Sequence, residues 1–406
     1  MEGTFGLCEY SKGVFWYSNF HKFRQSVSVY EGIYLNDNKR KLNIVMFGQK
    51  HIPSREGGVE IVVEELATRM ADKGHNVICY NRKSKHVSGA HLERRDTYKG
   101  VHIKEVPTVD KKGLAAMTSS FFAAIASAFS NADVVHIHAE GPAIFSFLPK
   151  MTGKKVIVTI HGLDWARAKW GRFASWYIKS GEKNAVKYAN EIIVLSNGVR
   201  DYFQKEYSRE TRFIPNGVNR PVIREADIIK RKWGLEKNSY VLFLGRLVPE
   251  KGVHYLIEAF KGITDKKLVI CGGSSDTQEY MNQLKAMDQN VIFTGFQQGQ
   301  PLEELYSNAY VYCLPSDLEG MPLSLLEAMS YGNCCLTSDI AECAEVVEDK
   351  AVLFHKSDAT DLRVKLEWLV SHEEEVMKYK SKAADFICGK YNWDDVVERT
   401  LGLYIE

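Results

Sequence analysis

The sequence predicts an α/β protein of two doubly wound parallel-sheet domains. Three observations carry that reading. The chain has 406 residues, more than one hydrophobic core usually organises, since single domains stop growing near ~250–300 residues. Short apolar runs alternate with helical patterns, the rhythm of βαβ units. The alternation stops at a charged stretch ending near Lys237 and then starts again.

Residues 1–40 carry scattered aromatics without a helical or strand period and read as an appended, disordered arm. The first strand is expected at Leu42–Phe47. Further runs follow at 77–80, 101–106, 134–137, 156–160 and 192–195. After the first strand, Val59, Val62, Val63, Leu66 and Met70 recur at helical spacing, and Gly74 is placed to end that helix. These elements delimit a first domain, 41–220, and a linker, 221–238. A second series of runs, at 241–244, 268–270, 291–293, 311–314, 334–336 and 352–354, delimits a second domain, 239–390. A closing helix at 391–406 presents Val396, Val397, Thr400 and Leu401 on one face, and its docking place is not readable from sequence.

Composition excludes more than it assigns. Lys and Arg number 53 against 51 acids, so no overall field calls for a nucleic acid partner. The eight cysteines show no C-x-x-C spacing and mostly sit in apolar runs, as expected of reduced thiols in a cytoplasmic protein. The most apolar later stretch, 114–129, is interrupted by Thr118, Ser119 and Ser120, so no membrane span is expected.

Four motifs can carry chemistry. Glu319-Gly-Met-Pro-Leu-Ser-Leu-Leu-Glu327 follows a buried run. Pro322 suits a first helical turn, which puts Glu319 in the loop before the helix and Glu327 about two turns inside. The segment Gly320-Met321-Pro322-Leu323 would start a helix, and its free N–H groups favour an anion there. A plain acidic loop before a helix whose glutamate faces water fits the same residues. Gly245-Arg-Leu-Val-Pro-Glu-Lys-Gly252 leaves a strand and enters a helix. Its Arg246 and Lys251 lie at the carboxyl edge of a sheet, where open α/β sheets bind ligands, and two cations there can neutralise a leaving diphosphate. Ordinary solvated charges are the alternative.

The third motif is the loop from Gly48 through Gly57-Gly58 to Glu60, whose small residues permit close approach to a ligand, although it is not G-x-G-x-x-G and a glycine pair also makes a plain turn. The fourth, Thr159-Ile-His161-Gly-Leu-Asp164, ends a buried run, so His161 faces a cleft. There it can bond a sugar hydroxyl, take a proton from a reacting oxygen, or serve as a satisfied structural histidine. His136 and His138 have the spacing of a metal pair on a strand, with Glu140 as a conceivable third ligand, but no convincing further set appears and no metal is expected.

In this order the motifs resemble the retaining glycosyltransferases of family 4, which have the GT-B architecture of two facing Rossmann-like domains and an interdomain cleft. The resemblance runs from Leu42 onward and is strongest in the pairing of Gly245–Gly252 with the E-x7-E element Glu319–Glu327. The Ile52–Glu60 loop is similar to that of bacterial members serving cell-surface polysaccharide synthesis. The resemblance implies that 239–390 binds the nucleotide sugar and 41–220 the acceptor. Arg246 and Lys251 would hold the diphosphate, Glu319 and the amides of 320–323 the sugar and phosphate, and Glu327 the ribose. His161 would lie near the transferred sugar, with Gly57 and Gly58 under the phosphates. Gly272 and Phe296 occupy the nucleoside region of relatives.

The resemblance further implies transfer with retention, no metal and no cofactor, with the nucleotide sugar as co-substrate. UDP-hexose or UDP-N-acetylhexosamine comes first, with GDP-mannose or a deoxysugar nucleotide behind it. The acceptor would be a glycan or lipid-linked molecule. A nucleotide-sugar epimerase of the same fold and a non-catalytic nucleotide-sugar binder remain as alternatives. Trp165, Trp170 and Trp176 mixed with Arg167, Lys169, Arg172, Lys179, Lys183 and Lys187 suit peripheral contact with an anionic inner membrane face, or a solvated surface over packed tryptophans.

Overall fold

The computed structural model describes residues 40–83, 95–109, 111, 113–166, 171–273 and 278–406. The arm at 1–39 and the segment 167–170, with Arg167, Lys169 and Trp170, lie outside them.

The first lobe is an eight-stranded sheet. Its strands are β1 (Asn43–Phe47), β2 (Asn76–Arg82), β3 (Thr97–Tyr98), β4 (Val101–Val106), β5 (Val134–His138), β6 (Lys155–Ile160), β7 (Glu191–Val194) and β8 (Arg212–Phe213). They lie in the order β3-β4-β2-β1-β5-β6-β7-β8, with all pairs parallel except β3–β4. The second lobe is a fully parallel six-stranded sheet of β9 (Tyr240–Leu244), β10 (Lys267–Cys271), β11 (Ile292–Gly295), β12 (Val311–Leu314), β13 (Cys334–Ser338) and β14 (Val352–Phe354), ordered β11-β10-β9-β12-β13-β14. These are the two Rossmann-like sheets of the expected architecture. The strands are near-continuous apolar runs because crossover helices cover both faces. Val241, Leu242 and Phe243 of β9, for instance, are wholly buried. The short edge strands β3 and β8 have no periodic signal and were not expected.

Six helices position the site: α1 (Gly58–Asp72), α2 (Glu140–Ala143), α3 (Arg172–Tyr188), α4 (Gln300–Asn308), α5 (Leu323–Ser330) and α6 (Trp393–Ile405). In α1, Val62, Val63, Leu66, Ala67 and Met70 form the buried stripe, and Gly74 follows at φ +90°. The helix α6 opens on an Asn392 side chain that accepts from the Asp394 amide at 2.7 Å. It packs on α1 in the first lobe. Ion pairs Arg69–Asp394 and Lys73–Glu398 line that seam. The charged linker also contains a short helix, Ile228–Trp233.

Strand order fixes where loops gather. In the first sheet successive crossovers leave β1 in opposite directions, so the loops after β1 and β5 open side by side. In the second sheet the same reversal separates β9 from β12. Crevices at such reversals are where open α/β sheets hold ligands. No described helix is long and apolar enough to cross a membrane.

Candidate active site between the lobes

The loops after β9 and β12 carry the charged residues of the second lobe. Lys251 ends a 3-10 turn, Pro249–Lys251. Gly252 then turns at φ +65°, where a Cβ would lie 1.9 Å from the Pro315 carbonyl oxygen, so only glycine lets the two loops touch. That contact brings Lys251 Nζ to 2.5 Å from Glu319 Oε1, with the two side chains 13% and 8% exposed. The same carboxylate oxygen accepts from Ser316 Oγ at 2.6 Å. Such a pair, drawn out of water, persists because each charge is partnered.

Arg246 follows β9 directly. It is half-buried, and its side chain makes no hydrogen bond or ion pair among the described residues. Its loop is pinned to the neighbouring strand by Gly245 N to Cys271 O at 3.1 Å and Leu247 N to Gly273 O at 3.2 Å. Gly272 sits at φ +145° with its missing Cβ only 1.8 Å from the Gly245 carbonyl, so this glycine is a fixture of the loop pair. Phe296 lies half-buried immediately after β11.

The helix α5 starts at Leu323, with Pro322 preceding its first residue. The first helical bonds come from Leu325 and Leu326 to the Pro322 carbonyl. The amides of Gly320, Met321 and Leu323 therefore lie ahead of the ladder, the condition under which a helix start attracts anions. Sequence spacing had put Pro322 within the first turn and Glu327 about two turns in. The later start makes Glu327 the fifth residue of an eight-residue helix, just over one turn from its beginning.

The first lobe meets this surface through backbone. A Cβ on Gly320 would fall 1.7 Å from the His161 carbonyl oxygen, and one on Gly162 would fall 3.0 Å from Gly320 Cα. On Gly58 it would touch Leu323 Cδ1 at 3.4 Å. Met321 Sδ accepts from the Asn216 amide at 3.0 Å. The structure thus brings His161, Gly57-Gly58, Lys251, Glu319 and the segment 320–323 to one seam. Glu327 reaches the seam differently: Arg55 pairs with Oε1 across the lobes, and Tyr306 of α4 donates to Oε2 at 3.2 Å. The Glu327 charge raises the Arg55 pKa. Behind them a cavity of about 330 Å3 is lined by Arg55, Glu65, Arg220, Tyr306, Glu327 and Trp393, among others.

The histidines form one buried group. The β5–β6 register sets His136 beside Ile157 and His138 beside Thr159, so His136, His138, Thr159 and His161 share a face by the period-two rule. Both His136 nitrogens are engaged, Nδ1 with Tyr404 OH at 2.6 Å and Nε2 with Thr159 Oγ1 at 2.7 Å. His138 Nδ1 lies 3.2 Å from His161 Nε2. Burial lowers all three pKa values, to about 3 for His136, about 4 for His161 and well below the usual range for His138. Glu140 accepts from the Asp164 amide at 2.8 Å and so braces the loop that carries His161.

Sequence reasoning missed Arg55, Tyr306 and Ser316 as neighbours of the acidic pair. Arg55 stood in the quoted loop, but nothing local signals a partner 272 positions away.

Known proteins match along most of the described chain. The pattern described as Glycosyltransferase Family 4 matches residues 56–220, and that described as Glycosyl transferases group 1 matches residues 225–386. An alpha-maltose-1-phosphate synthase from Mycobacterium tuberculosis is 25% identical over 403 aligned residues, covering 89% of this chain and 99% of its own. A UDP-Gal:alpha-D-GlcNAc-diphosphoundecaprenol alpha-1,3-galactosyltransferase from Escherichia coli is 31% identical over 231 residues, 51% of this chain and 58% of its own. Among solved structures, sucrose-phosphate synthase from Thermosynechococcus elongatus superposes with a TM-score of 0.75 at 19% identity, covering 90% of this chain and 98% of that one.

Proposed function

Because this chain belongs to the GT-B glycosyltransferases, its two lobes matched by family 4 and group 1 patterns, we propose that it is a retaining, metal-independent hexosyltransferase. The donor is a nucleotide diphosphate sugar, with UDP-hexose or UDP-N-acetylhexosamine first. The acceptor is a glycan or lipid-linked molecule of cell-surface polysaccharide synthesis. The UDP donor and diphosphoundecaprenol acceptor named for the Escherichia coli relative support that choice.

One observation supports the reading above the others. Lys251 pairs with Glu319 beside the leading amides of α5, where Gly320 packs on the His161–Gly162 backbone. As the glycosidic C–O bond breaks, charge gathers on the departing diphosphate. Lys251, Arg246 and the amides are pre-placed for that charge and stabilise the transition state more than the ground state. Glu319 orients sugar hydroxyls, and Glu327 the ribose. Retention follows if a phosphate oxygen takes the acceptor's proton on the face the leaving group vacates. In this reading Arg246, Lys251, Glu319 and His161 are the catalytic residues, with Gly57, Gly58, Gly272, Phe296 and residues 320–323 along the donor.

A screen of nucleotide sugars by thermal stabilisation identifies the donor, since binding to the native state raises the melting temperature. Transfer is then followed by nucleotide release, the product anomer by NMR, and metal independence by activity in excess chelator. Isomerised donor without acceptor would make the chain an epimerase, and stabilisation without turnover would make it a binder. The face of α3 bearing exposed Trp176, Lys183 and Lys187 supports contact with anionic lipid. Flotation with anionic liposomes at low salt tests it, and a protein left at the bottom of the gradient rejects it.

A further inference from the structure

The His136–His138–His161 group has a consequence for what His161 can do. His161 Nε2 is taken up by His138 Nδ1 at 3.2 Å, which leaves Nδ1 as the ring atom available to a ligand. One proton lies between the two facing nitrogens, because two bare lone pairs or two N–H groups would repel. Its owner is decided at the far side of the His138 ring. There Nε2 is fully buried and meets no polar partner. A neutral imidazole carries one N–H. If that hydrogen were on Nε2 it would be an orphaned buried donor, which native structures avoid more strictly than an under-used acceptor. On Nδ1 it finds His161.

The ring plane is also fixed. His138 lies against His136 at 4.1 Å between centroids, and His136 is held at both nitrogens by Tyr404 and Thr159. Burial keeps the imidazoles uncharged near neutral pH, which removes the doubly protonated alternative.

We propose that His138 donates from Nδ1 to His161 Nε2 and so holds His161 as the neutral Nδ1–H tautomer, making His161 a hydrogen-bond donor to the transferred sugar or its departing phosphate instead of a proton acceptor. His138 is a positioning residue here, acting through His161. The identity of the oxygen that receives the bond rests on the donor-site reading above; the tautomer does not.

The first measurement is independent of activity. Long-range proton–nitrogen NMR of the full chain at neutral pH, with His161 assigned by comparison with His161→Gln, reports which ring nitrogen carries hydrogen. A protonated Nδ1 and bare Nε2 are expected, and the reverse pattern or two N–H groups would overturn the proposal. The second measurement uses two variants. In His138→Asn the side-chain amide can donate from nearly the same position, so kcat stays within about threefold of the unmodified chain, whereas His138→Leu loses about tenfold or more in kcat, with donor KM little changed. Equal losses in the two variants, or none in either, would count against the donor role. Should no nucleotide sugar bind or turn over, the transferase reading fails while the tautomer remains measurable.

Discussion

The second lobe brings charge to the seam, in Lys251, Glu319 and Glu327, while the first brings uncharged imidazoles, glycine backbone and Arg55. The difference follows from burial. Lys251 and Glu319 partner each other, and Ser316 adds a hydrogen bond to the carboxylate. The histidines have no carboxylate bonded to their rings, so desolvation leaves them neutral. A lobe with paired charges can exchange an internal partner for a ligand's diphosphate. A lobe of neutral, locked dipoles orients a ligand and meets developing charge through hydrogen bonds alone.

The largest test of that contrast is Lys251→Ala. Transfer should fall by about 10^2–10^3-fold in kcat, with the far-ultraviolet circular dichroism unchanged; normal turnover would remove the second lobe's electrostatic role. Next is Glu327→Ala, which should weaken donor binding by about tenfold or more, as expected for loss of a charge-assisted hydrogen bond. Equal affinity by calorimetry would detach Glu327 from the donor.

Arg55→Ala probes a charge that the first lobe places on the Glu327 carboxylate. Arg55 is 39% exposed and occupies the carboxylate assigned to the ribose. Its removal should tighten donor binding, by no more than about fivefold, because partly exposed ion pairs contribute little. Weaker binding would instead make Arg55 a ligand contact.

The smallest effect concerns Glu140. Burial, with the Asp164 and Glu182 carboxylates nearby, pushes its pKa well above the usual range. The folded state therefore keeps a proton that the unfolded chain releases, so this contribution is present below the unfolded pKa and lost as pH rises through the folded one. Between pH 5 and 8 the unmodified chain should lose about 2–4 °C of melting temperature that Glu140→Gln retains. Parallel curves would show Glu140 ionised at both ends.

Much of the architecture was legible because its signals are local. Twelve of the fourteen strands among the described residues coincide with apolar runs picked out by sequence, and Gly74 marks the end of α1. The two-residue strands β3 and β8 are set by pairing to a neighbour and have no pattern of their own. In the site, Lys251 and Glu319 were readable as loop residues after buried strands. Their pairing was not, since it depends on Gly252 allowing the Pro315 carbonyl close approach. The start of α5 was placed early because proline is compatible with a first turn; here its carbonyl receives the first helical bonds instead. His136 and His138 stood out for their spacing, with no metal expected of them. Alternation put them on one face, but only tertiary packing supplied Tyr404 and Thr159 as hydrogen-bond partners.

The crossing of α6 back to α1 ties separate parts of the sequence into one unit. Tyr404 completes the coordination of His136 deep in the first sheet, while Asp394 and Glu398 clasp Arg69 and Lys73 above it. Anyone exchanging lobes between related enzymes should therefore transplant residues 393–405 together with the first half. A chimera divided simply at the linker would leave α1 without its partner helix and an imidazole stripped of its phenol.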